Sequence, residues 1–469
     1  MNRVLVASAA SVAALLIVAG GGYAWAVHEA NARLEAAMEA GRSHLRHGAV
    51  MTYESATVHP FSAAAEIFNL TVVEADGSRV AVERTDLLPS GTGKGSTVHG
   101  VRLKADHLPV WSSAVGGRQT VITVASFDVE NATREDAATG APPDAASISF
   151  DRFTANDVVV TMPTGPARLA SFEIDNYGPG RLTSVTATRL SVPTPAGSVD
   201  HAGFKTLSLG NIDLAQAVAS AIRHAPPQPQ DPNNISIDVG GIFVAGHGVN
   251  VLSAERAELA SSGDVQNSTG RLDVSGIVFR PNDPKGQAAL AGLGLTEIDA
   301  NFDEATEYHA AGGTISARQM LSVGGLGTLR IDLDLAGLDV KAVATQSRGN
   351  PMAAFAMLNQ FKLVSAAAQF KDDGLLTRGL TLGAMQAQMN VDQMRAKVLG
   401  LIAQNEQLAT FPGGSAIRAA AGDFVQHGGT ITVAARPAEP LPLMEFASTA
   451  KSNPTAALSR LRIGATVAP

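Results

Sequence analysis

Cysteine is absent from all 469 residues. Its absence excludes disulfides, thiol nucleophiles, thiolate zinc sites and lipid attached through cysteine, and it leaves the compartment open. Trp and Tyr are scarce, two and four, which favours small-residue sheets over an aromatic-lined sugar or base site. Positive charge is in deficit: 35 Lys and Arg stand against 43 Asp and Glu, for a formal net charge of −8. That balance argues against a nucleic-acid partner, which needs a basic face, and against tight electrostatic docking on an anionic leaflet. Catalytic signatures are missing as well. Neither a Gly-x-Ser-x-Gly elbow nor a His-Glu-x-x-His pair occurs, which removes the best-marked hydrolase sites. What remains is an apolar content of 45%, enough for packed cores and too much for wholesale disorder.

The first long apolar run carries an address. Val4 to Val27 contains no charged residue. As a helix rising about 1.5 Å per residue it spans about 36 Å, more than a hydrocarbon core of about 30 Å. Leu5 and the run Leu15, Leu16, Ile17 and Val18 form its apolar body. Arg3 and the free amine mark the cytoplasmic end, and Tyr23 and Trp25 stand at the opposite interface. The expectation is a single-pass anchor over residues 1–27, with nearly all of the chain outside the cytoplasm. A cleaved signal peptide is the alternative, because Ala24-Trp25-Ala26 matches the small-x-small cleavage pattern. Residues 28–47 read as a juxtamembrane helix. Glu29 and Arg33 lie one turn apart in the favourable order, and Val27, Leu34, Met38 and Leu45 form an apolar stripe.

From about residue 50 the hydrophobic period becomes two. Val101, Leu103 and Ala105 alternate with Arg102, Lys104 and Asp106. Ile235, Ile237 and Val239 alternate with Ser236 and Asp238, and Ile331, Leu333 and Leu335 with Asp332 and Asp334. Each reads as a strand with one apolar and one wet face. Turns are signalled at Asp76-Gly77, Gly178-Pro179-Gly180, Gly312-Gly313 and Gly324-Gly325. Pro-containing polar stretches at 135–146 and 226–234 mark subdivisions. Leu207 to Leu214 echoes Leu333 to Val340, each with a helical pattern behind it, at 213–224 and 352–362. A duplicated β-meander-plus-helix unit accounts for the echo, since its spacing is too long for a solenoid.

The expected organisation is a β-rich region at 48–140, one meander plus helix at 147–225, a second at 233–362 and an α+β module at 363–469. The fold class is α+β, mainly β, built on an extended antiparallel sheet assembly. In the C-terminal module Asn390 is a predicted N-cap with Gln393 as its capping-box partner, followed by the face Val391, Met394, Val398, Leu401 and Ile402. Further expectations are a helix at 416–426, a strand at 430–434 and a last helix opening on Pro454.

This module resembles the C-terminal region of bacterial envelope proteins of the YdgA type, a family of unknown function. The resemblance rests on Lys371-Asp372-Asp373-Gly374-Leu375-Leu376, the Met- and Gln-rich helices, Gly428 to Val433, Arg436 to Leu443 and Asn453-Pro454. It covers 365–469 and is weak elsewhere. It implies an inner-membrane anchor, a periplasmic body and no catalytic residues.

Candidate sites are few. Gly91-Thr92-Gly93-Lys94-Gly95-Ser96-Thr97 has the composition of a phosphate-binding loop, but Gly95 intervenes after the Lys and the chain continues as strand. A hairpin tip is the better reading. His44 and His47 share a helix face without a second ligand cluster, and Gly246-His247-Gly248 reads as a tight turn. Asp332, Asp334 and Asp339 read as wet-face residues rather than an acid–base pair. No catalytic, cofactor-binding or metal residue is assigned. The functional expectation is non-enzymatic: an anchored envelope protein, bound to the bilayer through its N-terminal helix, whose sheet holds a lipid or acyl chain in an apolar groove. A periplasmic scaffold that binds another envelope protein is the alternative, and an envelope hydrolase the third reading.

Overall fold

Two-residue periodicity dominates what the chain builds. A computed structural model describes residues 38–39, 42, 49–59, 64–89, 96–108, 120–134, 148–162, 164–194, 199–222, 234–339, 360–409 and 412–469. The protein is mainly β, with antiparallel strands and seven α-helices among the described residues. The expected anchor residues Leu5, Leu15, Leu16, Ile17, Val18 and Trp25 lie outside the described residues, as do His44 and His47. No helix of the described residues is long and apolar enough to cross a membrane. The described residues form two compact units, and the change-over falls between Gly240 and Gly241.

The first unit is a meander. Its strands are β1 (Val50–Thr52), β2 (Ser55–Val58), β3 (Ala65–Val73), β4 (Arg79–Pro89), β5 (Ser96–Leu108), β6 (Thr120–Arg134), β7 (Ile148–Met162), β8 (Gly165–Tyr177), β9 (Thr183–Pro193) and β10 (His201–Ile212). β1 and β2 both pair with β3, and each later strand pairs antiparallel with the next. Helix α1 (Leu214–Ile222) follows, its first turn capped by Asp213, which accepts from the Gln216 amide at 2.8 Å. Strand β11 (Ser236–Gly246) spans the change-over.

The strands of this unit are creased. Asn69, Arg102, Asp157 and Arg189 are left-handed, with φ between 51° and 54°, and sit on β3, β5, β7 and β9. Their rows align across the sheet, facing Glu83, Ala125, Ala170 and Lys205 on the intervening strands. At each crossing the alternation skips, so residues i and i+3 share the apolar face: Ile67 with Leu70, Val82 with Thr85, Ala155 with Val158. A second left-handed set, Asn131, Asn176 and Asn211, stands on β6, β8 and β10. Asn and Asp tolerate this conformation better than other side chains. Arg102 is held there by two hydrogen bonds to Glu83 at 2.7 and 2.9 Å. Such interruptions bend strands and add twist. Ile67, Val82, Val98 and Val129 are at most 1% exposed. Met38, the described member of the expected juxtamembrane stripe, joins this core.

The second unit continues with β12 (Val249–Gly263), β13 (Asn267–Phe279), α2 (Pro284–Gly292), β14 (Ile298–His309), β15 (Thr314–Val323), β16 (Gly327–Ala336) and β17 (Lys362–Asp372). Then come α3 (Leu375–Gln386), α4 (Val391–Ala403), α5 (Gly414–His427), β18 (Thr430–Ala435), β19 (Leu441–Pro442), α6 (Leu443–Ser452), α7 (Pro454–Arg460) and β20 (Ile463–Ala468). Strands β12 to β18 pair in sequence, β19 joins β17, and β20 joins β18. Helix α5 covers β18 and β20, its Phe424 ring meeting Phe370 edge-on at 6.0 Å. Arg378 of α3 donates to the Leu293 and Gly294 carbonyls at 2.7 and 3.2 Å, fastening that helix to the loop after α2.

Several expectations meet the structure directly. All four glycine turns join consecutive strands, and Gly246-His247-Gly248 is a tight turn, with His247 at φ 54° and Gly248 at 80°. The Asn390–Gln393 capping box forms, and Pro454 opens α7. Two expectations are corrected. Val101 does not share a face with Leu103 and Ala105: the left-handed Arg102 puts Gly100 and Leu103 on the apolar side and leaves Val101 opposite Arg84. The helix expected over 352–362 lies outside the described residues except at its end, where Lys362 opens β17 instead. In the echo, Leu207 to Ile212 ends β10 and Leu333 to Ala336 ends β16. The aligned positions Asn211 and Gly337 are both left-handed, at φ 60° and 88°.

Candidate functional site

The strand register of the second unit sorts its side chains into two faces. One face is wet and stitched across strands. Arg330 and Arg318 reach Asp332 at 3.0 and 4.0 Å, and Asp334 accepts from Ser365 and Ser316 at 2.6 and 2.7 Å. Those two bonds, the one from Ser365 first, hold the Asp334 carboxyl below its usual range against the opposing effect of burial. Asp303 faces Asp273 across β13 and β14. Burial and then the neighbouring carboxylate push Asp303 up, against the charge of Arg271.

The other face is apolar and continuous. One row runs Ala257, Val274, Phe302, Leu321, Leu329 and Phe370 across β12 to β17. Nearer the strand ends lie Ile277, Ala300 and Val323; they line a cleft of about 400 Å³ together with Asp299, Asn301, Ser322 and Thr328 of the wet register and Asp373. Over β12 to β16 the face is incompletely covered. Leu259, Leu321 and Ile331 are 39%, 37% and 38% exposed. At about 4.8 Å between strands, the open span is about 19 Å wide.

A carboxyl and an amide side chain interrupt this face in its interior. Glu304 on β14 and Gln319 on β15 pair directly, between Leu272 on one side and Ile331 on the other. Both are half-buried, and neither has a hydrogen bond or ion pair among the described residues. Thr306, two residues along, differs because its hydroxyl donates to the Gly270 carbonyl at 3.4 Å. Periodicity assigned neither Glu304 nor Gln319; the signal available was a Glu at an apolar-phase position of a strand.

The motifs singled out in the sequence do not converge. Ser96 and Thr97 of the glycine loop open strand β5, with Ser96 in register with Ala132 and Thr97 with Leu88, so no helix follows the loop. His99 bonds Asp128 at 2.6 Å and His427 bonds Asp423 at 2.7 Å. No group of three or more metal-ligating side chains occurs among the described residues. Asp332 and Asp334 lie on the wet face, as their spacing predicted.

Among known proteins, a family model described as "Uncharacterized protein" matches residues 320–468. Its span takes in β16 to β20 and all the helices of the C-terminal module. No curated protein matches the chain.

Proposed function

We propose that this is a non-enzymatic envelope protein that accommodates an acyl chain on the open apolar face of its second unit. The observation that carries the reading is the exposure of Leu259, Leu321 and Ile331 in the middle of an otherwise apolar face. Covering about 200 Å² of such surface returns about 5 kcal/mol, and an apolar patch left open on a folded protein marks a binding surface. The uncharged run from Val4 to Val27 supports an anchor in the bacterial inner membrane, with the body in the periplasm. The same reading follows from the resemblance to the YdgA type. An anchored protein of this kind samples lipid at short range.

The sealed core of the first unit favours a second role beside this one. A filled face has no room for a ligand, so that unit serves as scaffold, and a contact with another envelope protein would fall on its wet side.

The test is purification of the full chain in nonionic detergent, mass spectrometry of copurified lipid, and titration with a fluorescent acyl probe. Lipid and saturable probe binding are expected. Leu321→Asp is expected to weaken the probe by about tenfold or more; the side chain is 37% exposed, and circular dichroism confirms that the variant is folded. A protein that carries no lipid and binds no probe is a scaffold only.

A further inference from the structure

The pair Glu304–Gln319 gives the open face a chemical preference. Every strand contributes to this face, and the inward positions of β12 to β18 carry two carboxylates. Asp372, at the margin, accepts from the Leu376 amide at 2.8 Å and so belongs to the start of α3. Glu304 stands in the interior with no partner among the described residues. No Lys, Arg or His from these strands shares the face: Arg256, Arg271, Arg318, Arg330 and Lys371 all fall in the opposite register, on the wet side. The half-buried Glu304 carboxyl lies in register between Leu272 and Gln319, with Phe302 two residues along its own strand, and no cation from these strands stands beside it. Gln319 beside it adds a carbonyl acceptor and two donors.

Resting on the groove reading above, we infer that the face takes an amphiphile whose apolar chain ends in a protonated amine. The amine is received by Glu304 and Gln319, and the chain lies on the flanking rows. A charge-assisted hydrogen bond from an ammonium is stronger than a neutral one, and an anionic head meets the Glu304 charge unopposed. The apolar rows hold amphiphiles in general, and Glu304 discriminates among their heads.

The experiment uses the full chain in one nonionic detergent, with a fluorescent long-chain alcohol as neutral probe and dodecylamine or dodecanoate as competitor. Dodecylamine is expected to displace the probe about tenfold more effectively than dodecanoate from the wild type. Glu304→Gln, which keeps the shape and removes the charge, is expected to abolish that preference, read as the ratio of dodecylamine to dodecanoate displacement in each protein. Micelle partitioning is common to both proteins and cancels in the comparison. Equal displacement by the two competitors overturns this inference alone, as does a preference that survives in Glu304→Gln. Failure of the wild type to bind the neutral probe overturns the groove reading and this inference with it.

Discussion

The two units use the same strands differently. In each, an antiparallel meander presents one apolar and one wet face. In the first, Ile67 and Val98 are fully buried; in the second, Leu321 and Ile331 are more than a third exposed. Hydrophobicity does not separate them, since both faces are built of Val, Leu, Ile and Phe. Backbone conformation does. Seven non-glycine residues inside β3 to β10 are left-handed, whereas within β12 to β20 Gly276 is the one such residue in a strand interior. Each left-handed residue bends its strand. They align from strand to strand, and the buried cluster of the first unit lies along the strands that carry them. The second unit has left-handed glycines instead, Gly241 inside β11 and Gly276 inside β13, and its face is incompletely covered over β12 to β16. In this protein the sealed core and the aligned non-glycine left-handed residues occur together in the first unit.

The largest expected effect tests that contrast head-on. Ile67→Ala is expected to cost about 3 kcal/mol, through lost burial and an unfilled cavity. Ile331→Ala, at an open position, is expected to cost less than about 1 kcal/mol. Urea denaturation followed by circular dichroism measures both. Equal losses would mean that the second face is as tightly packed as the first, and the comparison would break.

A smaller effect addresses the cause. Asp157 lies on the aligned crease at φ 51°. Asp157→Val forces a β-branched side chain into the left-handed region and is expected to cost about 1–3 kcal/mol. Asp157→Gly is expected to stay within about 0.5 kcal/mol of the wild type. If the crease seals the face, hydrogen exchange of β6 to β8 should quicken in the valine variant and not in the glycine variant. Unchanged exchange in Asp157→Val would detach the crease from closure.

Much of this fold was legible in the sequence, and the exceptions have physical reasons. The glycine turns were legible because positive φ at a strand junction leaves few other choices of residue. The Asn390 box and Pro454 were legible because helix starts are marked locally. Helix α2 carried such marks too, in Asp283 as N-cap and Pro284 behind it, but its Gly- and Ala-rich body has no apolar stripe. Helix α3 opens after Gly374 with no side-chain cap in its own turn; its first free amide is met from Asp372, at the end of the preceding strand. The creases were not legible. Arg102 in particular is a residue no rule places in the left-handed region, and its conformation depends on Glu83 in the neighbouring strand. The candidate site was half legible: alternation gave the apolar face, but its exposure and the isolation of Glu304 depend on what packs above it, which sequence periodicity does not encode.

The smallest expected effect separates the faces by pH, and its sign follows from two carboxylates on the wet face of the second unit. The Asp334 carboxyl is held below its ordinary value by hydrogen bonds from Ser365 and Ser316. A depressed folded value means that the ionised form stabilises the fold at pH above about 4, the unfolded value, and that this stability is lost as pH falls through the folded value. Ser365→Ala removes the larger contribution and is expected to cost about 0.5–1 kcal/mol at pH 7, with the deficit shrinking as pH falls below about 4 towards the folded value. Asp303 runs the other way. Burial and Asp273 raise it, so its ionised form opposes folding above the raised value and is relieved as pH falls. Asp303→Asn is accordingly expected to stabilise at pH 7, by no more than a few tenths of a kcal/mol because the side chain is screened by solvent. Urea midpoints of the two variants at pH 7 and pH 3 should therefore depart from wild type in opposite directions at neutral pH and converge in acid. A Ser365→Ala deficit that persists undiminished at pH 3 would show that the serine acts through packing rather than charge. The wet face would then contribute to stability as a packed layer, and the open apolar side would be the only feature that sets the second unit apart.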